Sequence, residues 1–103
     1  MEQKYKKLLL YSNPKKVYSN AKSYLGDDVN IEISTRKDKK YMIEKPDGKW
    51  VHFGSFNPPM EDYTKHEDEY RRINYLVRSS NIKGNWINDM YSPNNLSVNI
   101  LWN

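Results

Sequence analysis

Hydrophobic positions change their spacing several times along the chain, and each change predicts an element. From Lys4 to Tyr11, Tyr5 precedes an unbroken Leu8-Leu9-Leu10 run that ends in turn residues, which predicts a first strand, central in a sheet. Asn13-Pro14 predicts a helix start, with Asn13 as N-cap and Pro14 at the first helical position, and Gly26 its stop. Between them Val17, Ala21, Tyr24 and Leu25 recur every three to four residues and form one core-facing stripe. Past the Asp27-Asp28 turn, Val29, Ile31 and Ile33 alternate with Asn30, Glu32 and Ser34, the pattern of a half-buried strand. Lys39 to Lys45 and Lys49 to Gly54 flank Pro46-Asp47-Gly48, whose glycine supplies a positive φ, and this predicts a hairpin.

The second half carries fewer strand signals. Gly54 to Met60 contains Asn57-Pro58-Pro59 and predicts a loop, because consecutive prolines lack N–H donors and restrict the residues before them. Glu61 to Ser79 predicts the main helix, with Thr64 and Glu67 spaced as a capping box and Tyr70, Ile73, Leu76 and Val77 as its core stripe. Asn81 to Tyr91 is a polar stretch, and Ser92-Pro93 opens a short final helix reaching Trp102, with a strand as the alternative. Together these elements predict a single α+β domain over residues 1–103. Its sheet is mainly antiparallel with about four strands, packed against two main helices and a short C-terminal one.

Composition narrows the chemistry. Among 103 residues 37% are hydrophobic, and the nine Tyr, three Trp and two Phe predict a small, aromatic-rich core. The absence of Cys excludes disulfides, thiolate zinc sites, Cys nucleophiles and iron–sulfur clusters. No apolar run approaches the ~18 residues of a membrane span, and the charged segment up to Leu10 does not read as a secretion signal, so a soluble intracellular protein is expected. Net charge is +4 and unevenly placed: residues 1–45 hold eleven Lys/Arg against six Asp/Glu, residues 46–103 six against seven. Such a surplus attracts a polyanion or simply solvates a surface.

Catalytic motifs are sparse. There is no Walker loop, no GxGxxG, no G-x-S-x-G and no HExxH, and no metal or cofactor site is expected. Asp38-Lys39-Lys40 has the loose D-x-K spacing of metal-dependent nucleases, but would need Asp27 or Asp28 beside it, and a charged turn explains it equally. His66 and His52 sit where hydrogen-bonded packing residues belong. The basic residues form two groups: Arg36, Lys37, Lys39 and Lys40 at one turn, and Arg71, Tyr75 and Arg78 on one helix face with Arg72 beside them. Joined, they would contact phosphates or an acidic partner, with Tyr75 free to stack; alternatively Glu67 and Asp68 neutralise the helix arginines. Trp86, Tyr91 and Trp102 lie in polar contexts, as interface anchors do, or else close the bottom of the core.

The string Lys39-Lys40-Tyr41-Met42-Ile43 through Pro46-Asp47-Gly48-Lys49-Trp50-Val51-His52-Phe53-Gly54 resembles a family of small uncharacterised proteins of large eukaryotic, nucleocytoplasmic double-stranded DNA viruses. Glu61-Asp62-Tyr63-Thr64-Lys65-His66, Arg71-Arg72, Tyr75-Leu76, Asn81-Ile82-Lys83-Gly84-Asn85-Trp86, Tyr91 to Ser97 and Leu101-Trp102 continue the likeness over roughly residues 34–102. The resemblance implies a viral protein of the particle or of the infected cell's cytoplasm or nucleus, not secreted, and carries no catalytic residues. Two non-enzymatic roles follow: a structural or accessory component docking on viral structural proteins, or a nucleic-acid-binding protein.

Overall fold

Asn13 caps the second helix of the chain through its side-chain oxygen, which accepts from Lys16 N–H at 3.4 Å, and Pro14 occupies the first turn as the sequence predicts. The structure, a computed structural model, describes residues 2–84 and 86–103; Met1 and Asn85 lie outside the described residues. Helix α1 spans Glu2–Leu8 and α2 Pro14–Leu25; strands β1 (Ile31–Ile33), β2 (Lys39–Glu44) and β3 (Trp50–Ser55) follow; then come α3 (Tyr63–His66), α4 (Glu69–Ser80), a 3₁₀ turn at Trp86–Asn88 and α5 (Pro93–Leu96), which continues as a π-helical turn at Ser97–Leu101.

The sheet is an antiparallel meander in the order β1-β2-β3. Ile31 pairs with Ile43 and Tyr41 with Phe53, so one face carries Ile31, Ile33, Tyr41, Ile43, Val51 and Phe53. Val17 and Ala21 of α2 and Leu96 and Ile100 of the C-terminal segment join that face in one buried core. At the hairpin tip Gly48 has a φ of +86° and Asp47 accepts from Lys49 N–H at 2.9 Å, the turn chemistry expected of Pro46-Asp47-Gly48.

Three expectations are corrected. The segment from Lys4 to Tyr11 is not a strand: α1 occupies it as far as Leu8 and a turn follows to Tyr11, leaving three strands rather than four in the sheet among the described residues. Only Leu8 of the leucine run is buried, while Leu10 is 61% exposed, so three adjacent leucines do not mark a strand covered on both faces. Lys4 Nζ donates to the carbonyls of Ser34 (2.6 Å), Arg36 (2.6 Å) and Lys39 (2.8 Å), which fastens α1 to the β1–β2 turn.

The main helix is also divided. Glu67 takes a left-handed φ of 52°, and Asp68 starts α4 afresh, its carboxylate accepting from Arg71 N–H at 3.2 Å. No capping box forms between Thr64 and Glu67. Thr64 is buried and bonds to Asp62 and Asn13 N–H, and Glu67 pairs with Lys16.

The third correction concerns the apolar stripe of α4. Tyr70, Ile73 and Val77 are 75%, 51% and 56% exposed, and only Leu76 of the four is half-buried. The helix instead turns Arg72, Tyr75 and Ser79 toward the body of the protein. Tyr75 stacks on Trp102 with ring centroids 4.2 Å apart and planes 7° from parallel, and Arg72 Nε donates to Trp102 O at 2.8 Å.

Candidate functional site

Helix α4 divides its surroundings into an outer apolar face and an inner cleft. The 3.6-residue repeat places Ile73 and Val77 on one side, beside Tyr70, and Tyr75 and Ser79 across the helix, with Arg78 on the flank between them. Charge is scarce around the outer face, where Glu69 is the charged neighbour nearest to Ile73 by helical position.

Beneath the inner side lies a cleft of about 340 Å³, walled by Tyr75, Arg78, Ser79 and Ile82 on one side and by Ser97, Leu101 and Trp102 on another. Lys40, Gly54, Ser55, Met60, Glu61 and Asp62 complete it. Gly54 has a φ of +83°, and a Cβ there would lie 2.8 Å from Leu101 Cδ1 and 3.1 Å from Lys40 Cβ. Only glycine lets β3, Lys40 and the C-terminal segment approach so closely.

The ion pair at the cleft is inaccessible. Lys40 is 2% and Asp62 1% exposed; Lys40 Nζ donates to Asp62 Oδ2 at 3.1 Å and to the carbonyls of Met60 (2.5 Å) and Tyr11 (3.4 Å). Every ammonium proton has an acceptor, which is what allows a charge this deep. Burial holds the Lys40 pKa below its ordinary value, against the opposing attraction of Asp62. The other oxygen of Asp62 accepts from Thr64, and Ser12 shares hydrogen bonds with Tyr41 Oη (2.7 Å) and Thr64 Oγ1 (3.4 Å). Burial, more than any neighbouring charge, raises the pKa of the Tyr41 phenol. This network ties α2, α3 and β2 together.

The predicted basic site is therefore dispersed in its chemistry. Lys40 is buried and committed to Asp62, and Arg36 pairs with Asp38 at 3.3 Å. Arg71 pairs with Glu61 at 3.7 Å and Arg72 with Glu69 at 2.9 Å, so two of the three arginines of α4 are paired, through Glu61 and Glu69 rather than Glu67 and Asp68. Lys37, Lys39 and Arg78 have no ion pair among the described residues. Trp102 covers one face of the half-buried Tyr75 ring.

The aromatic candidates also separate. Trp102 is 8% exposed and closes the core instead of anchoring a partner. Trp86 is half-buried and donates to Ile82 O at 2.8 Å, and Tyr91, also half-buried, packs against the core. Tyr63, His66, Trp102 and Tyr75 form a continuous aromatic row, with His66 5.2 Å from Trp102.

Both histidines pack within the protein and hydrogen-bond through Nδ1, while His66 Nε2 is buried without a partner among the described residues. His66 Nδ1 accepts from Asp68 N–H at 2.9 Å, and His52 Nδ1 meets Ser34 Oγ at 2.6 Å. Desolvation first, then the charge of Arg71 for His66 and Arg36 for His52, holds both below their ordinary pKa. The Asp38 carboxylate serves Arg36, and among the described residues no three His, Asp or Glu side chains gather to hold a metal ion.

Residues 29–79 match a family of unknown function, DUF5754. No curated protein and no solved structure matches the chain. The matched span holds the sheet, the Lys40–Asp62 pair and α4 as far as Ser79, whereas α1, α2 and the C-terminal wall of the cleft lie outside it.

Sequence reasoning missed Asp62, Met60, Ser79 and Ser97 as members of one site. Lys40 and Asp62 stand 22 residues apart, and no local spacing links them. Periodicity identified the outer face of α4 but assigned it to the core, since a helix amphipathic toward its own domain and one amphipathic toward a partner carry the same repeat.

Proposed function

We propose that the protein is a non-enzymatic docking module that binds another protein through the outer face of α4. The exposure of Tyr70, Ile73 and Val77 on one helix face carries this reading. Soluble monomers seldom leave an aligned apolar stripe open to water, and an amphipathic helix laid against a groove is a recurrent recognition mode. The resemblance over residues 34–102 makes the structural proteins of a large DNA virus the partner class, with the particle or its assembly as the setting.

A photoreactive benzoylphenylalanine in place of Ile73, compared with one in place of Lys49 at the hairpin tip, tests the reading in cells that make the protein naturally. A discrete adduct with a particle protein is expected through position 73 and not through position 49, and Val77→Asp should abolish it. Equal adduct patterns at the two positions would remove the support for docking through α4.

Phosphate binding is a second reading, favoured by the unpaired Lys37, Lys39 and Arg78 among the described residues. It predicts that DNA or RNA binds at low salt and is released steeply as salt rises, and that Arg78→Ala weakens binding. Docking through an apolar face predicts neither.

A further inference from the structure

The cleft behind α4 has a composition that the docking face does not explain. Polar and charged residues are the more numerous in its lining, but most of the surface they and Met60, Ile82, Leu101 and Trp102 expose to it is apolar. Of the cations near it, Lys40 is neutralised by Asp62, and Arg71 by Glu61. Arg78 alone among the cleft's own cations lacks an ion pair among the described residues. Two hydroxyls on buried backbone, Ser79 and Ser97, also line the cleft, and neither side chain makes a hydrogen bond among the described residues. One uncompensated positive charge and two uncommitted hydroxyls thus face an apolar space of about 340 Å³.

We propose that this cleft binds a small organic monocarboxylate, its apolar body between Met60, Leu101 and Trp102 and its carboxylate on the Arg78 guanidinium, with Ser79 and Ser97 as further donors. The charge balance selects the class. A single free guanidinium matches a single carboxylate, which it can hold with two parallel hydrogen bonds. A polyphosphate would bring more negative charge than Arg78 offsets, against the Glu61 carboxylate that also lines the cleft. The volume sits at the lower end of the range of about 300–1,000 Å³ typical of small-molecule sites. The proposal is independent of docking through the outer face, because the cleft lies under Tyr75 and Ser79, across the helix from Ile73 and Val77, with Arg78 at its flank.

Octanoate is the probe, with 1-octanol as its neutral counterpart, and binding is followed by tryptophan fluorescence and by amide shifts in a two-dimensional NMR spectrum of the full chain. Saturable binding of octanoate below about 1 mM is expected, weakened about tenfold or more by Arg78→Gln and unaffected by Lys49→Gln. Shifts should concentrate at Ser79, Ser97, Leu101 and Trp102. Arg78 is exposed and outside the core, so Arg78→Gln should fold, and its spectrum away from the cleft verifies that. Absence of saturation, octanol binding as tightly as octanoate, an unchanged affinity in Arg78→Gln, or shifts centred on Ile73 and Val77 would each overturn the proposal.

Discussion

Asp62→Asn keeps the shape of the side chain and an oxygen for Lys40, but it removes the negative charge that balances an ammonium only 2% exposed. Two of the three hydrogen bonds to Lys40 Nζ come from the neutral carbonyls of Met60 and Tyr11, and neither replaces a counter-ion. Removing one partner of a buried pair costs about 3–5 kcal/mol. A domain of this size holds about 5–15 kcal/mol in total, so the variant should lose a large share of its stability. At roughly 4–8 °C per kcal/mol, the melting temperature should fall by at least about 12 °C.

Adding Lys40→Met to Asp62→Asn removes the orphaned ammonium and should recover part of the loss, since a buried pair replaced as a pair is often close to neutral. The pH dependence supplies an independent arm. Burial already holds Lys40 below its ordinary 10.5, and without Asp62 the opposing attraction disappears, so its pKa falls further. Between that folded value and 10.5 the unfolded chain binds more protons, so stability rises with pH and the deficit of Asp62→Asn should shrink toward pH 10.5. Urea denaturation followed by circular dichroism at neutral and alkaline pH measures both. A loss below about 1 kcal/mol at neutral pH would refute the buried-charge reasoning, because that is the scale of an exposed pair.

Gly54→Ala should destabilise by about 2 kcal/mol or more, because strain at φ +83° adds to a 2.8 Å clash with Leu101; Gly48→Ala, equally strained but with open space around its Cβ, should cost about 1 kcal/mol, and paired urea melts give the difference. Lys4→Met releases the carbonyls of Ser34, Arg36 and Lys39, and hydrogen exchange should accelerate in the β1–β2 turn while the Pro46-Asp47-Gly48 hairpin keeps its protection. His66 titrates below 6.5 when folded, so the unfolded chain binds more protons as pH falls through 6.5 toward the folded value, and stability drops there. His66→Gln should flatten that part of the stability–pH curve, and an unchanged slope would remove His66 from it.

Local chemistry was the legible part of the fold. Asn13-Pro14, Ser92-Pro93 and Pro46-Asp47-Gly48 act through their own backbone and immediate neighbours, and each starts or turns the chain where the sequence predicts. The failures arose where tertiary contacts decide. Leu8-Leu9-Leu10 resembled a strand, yet only Leu8 meets the core, and the long reach of Lys4 to three carbonyls has no signature in spacing. Thr64 and Glu67 had the spacing of a cap but found partners in Asp62 and Lys16, leaving Asp68 to start the helix. Of the site, sequence patterns supplied Lys40, Tyr75, Arg78 and Trp102 separately; only the fold brings them around one cleft and turns Tyr70, Ile73 and Val77 away from it.

The orientation of α4 underlies both functional readings, and stability measurements on its outer face test it most directly. Tyr70→Gln, Ile73→Gln and Val77→Gln, made singly, keep helix propensity and change only the apolar surface. With the face open to solvent, the unfolding free energy from urea melts should change by less than about 0.5 kcal/mol at each site. A loss of about 2–5 kcal/mol at Ile73 or Val77, the scale of a core truncation, would place the stripe inside the protein and contradict the exposed face.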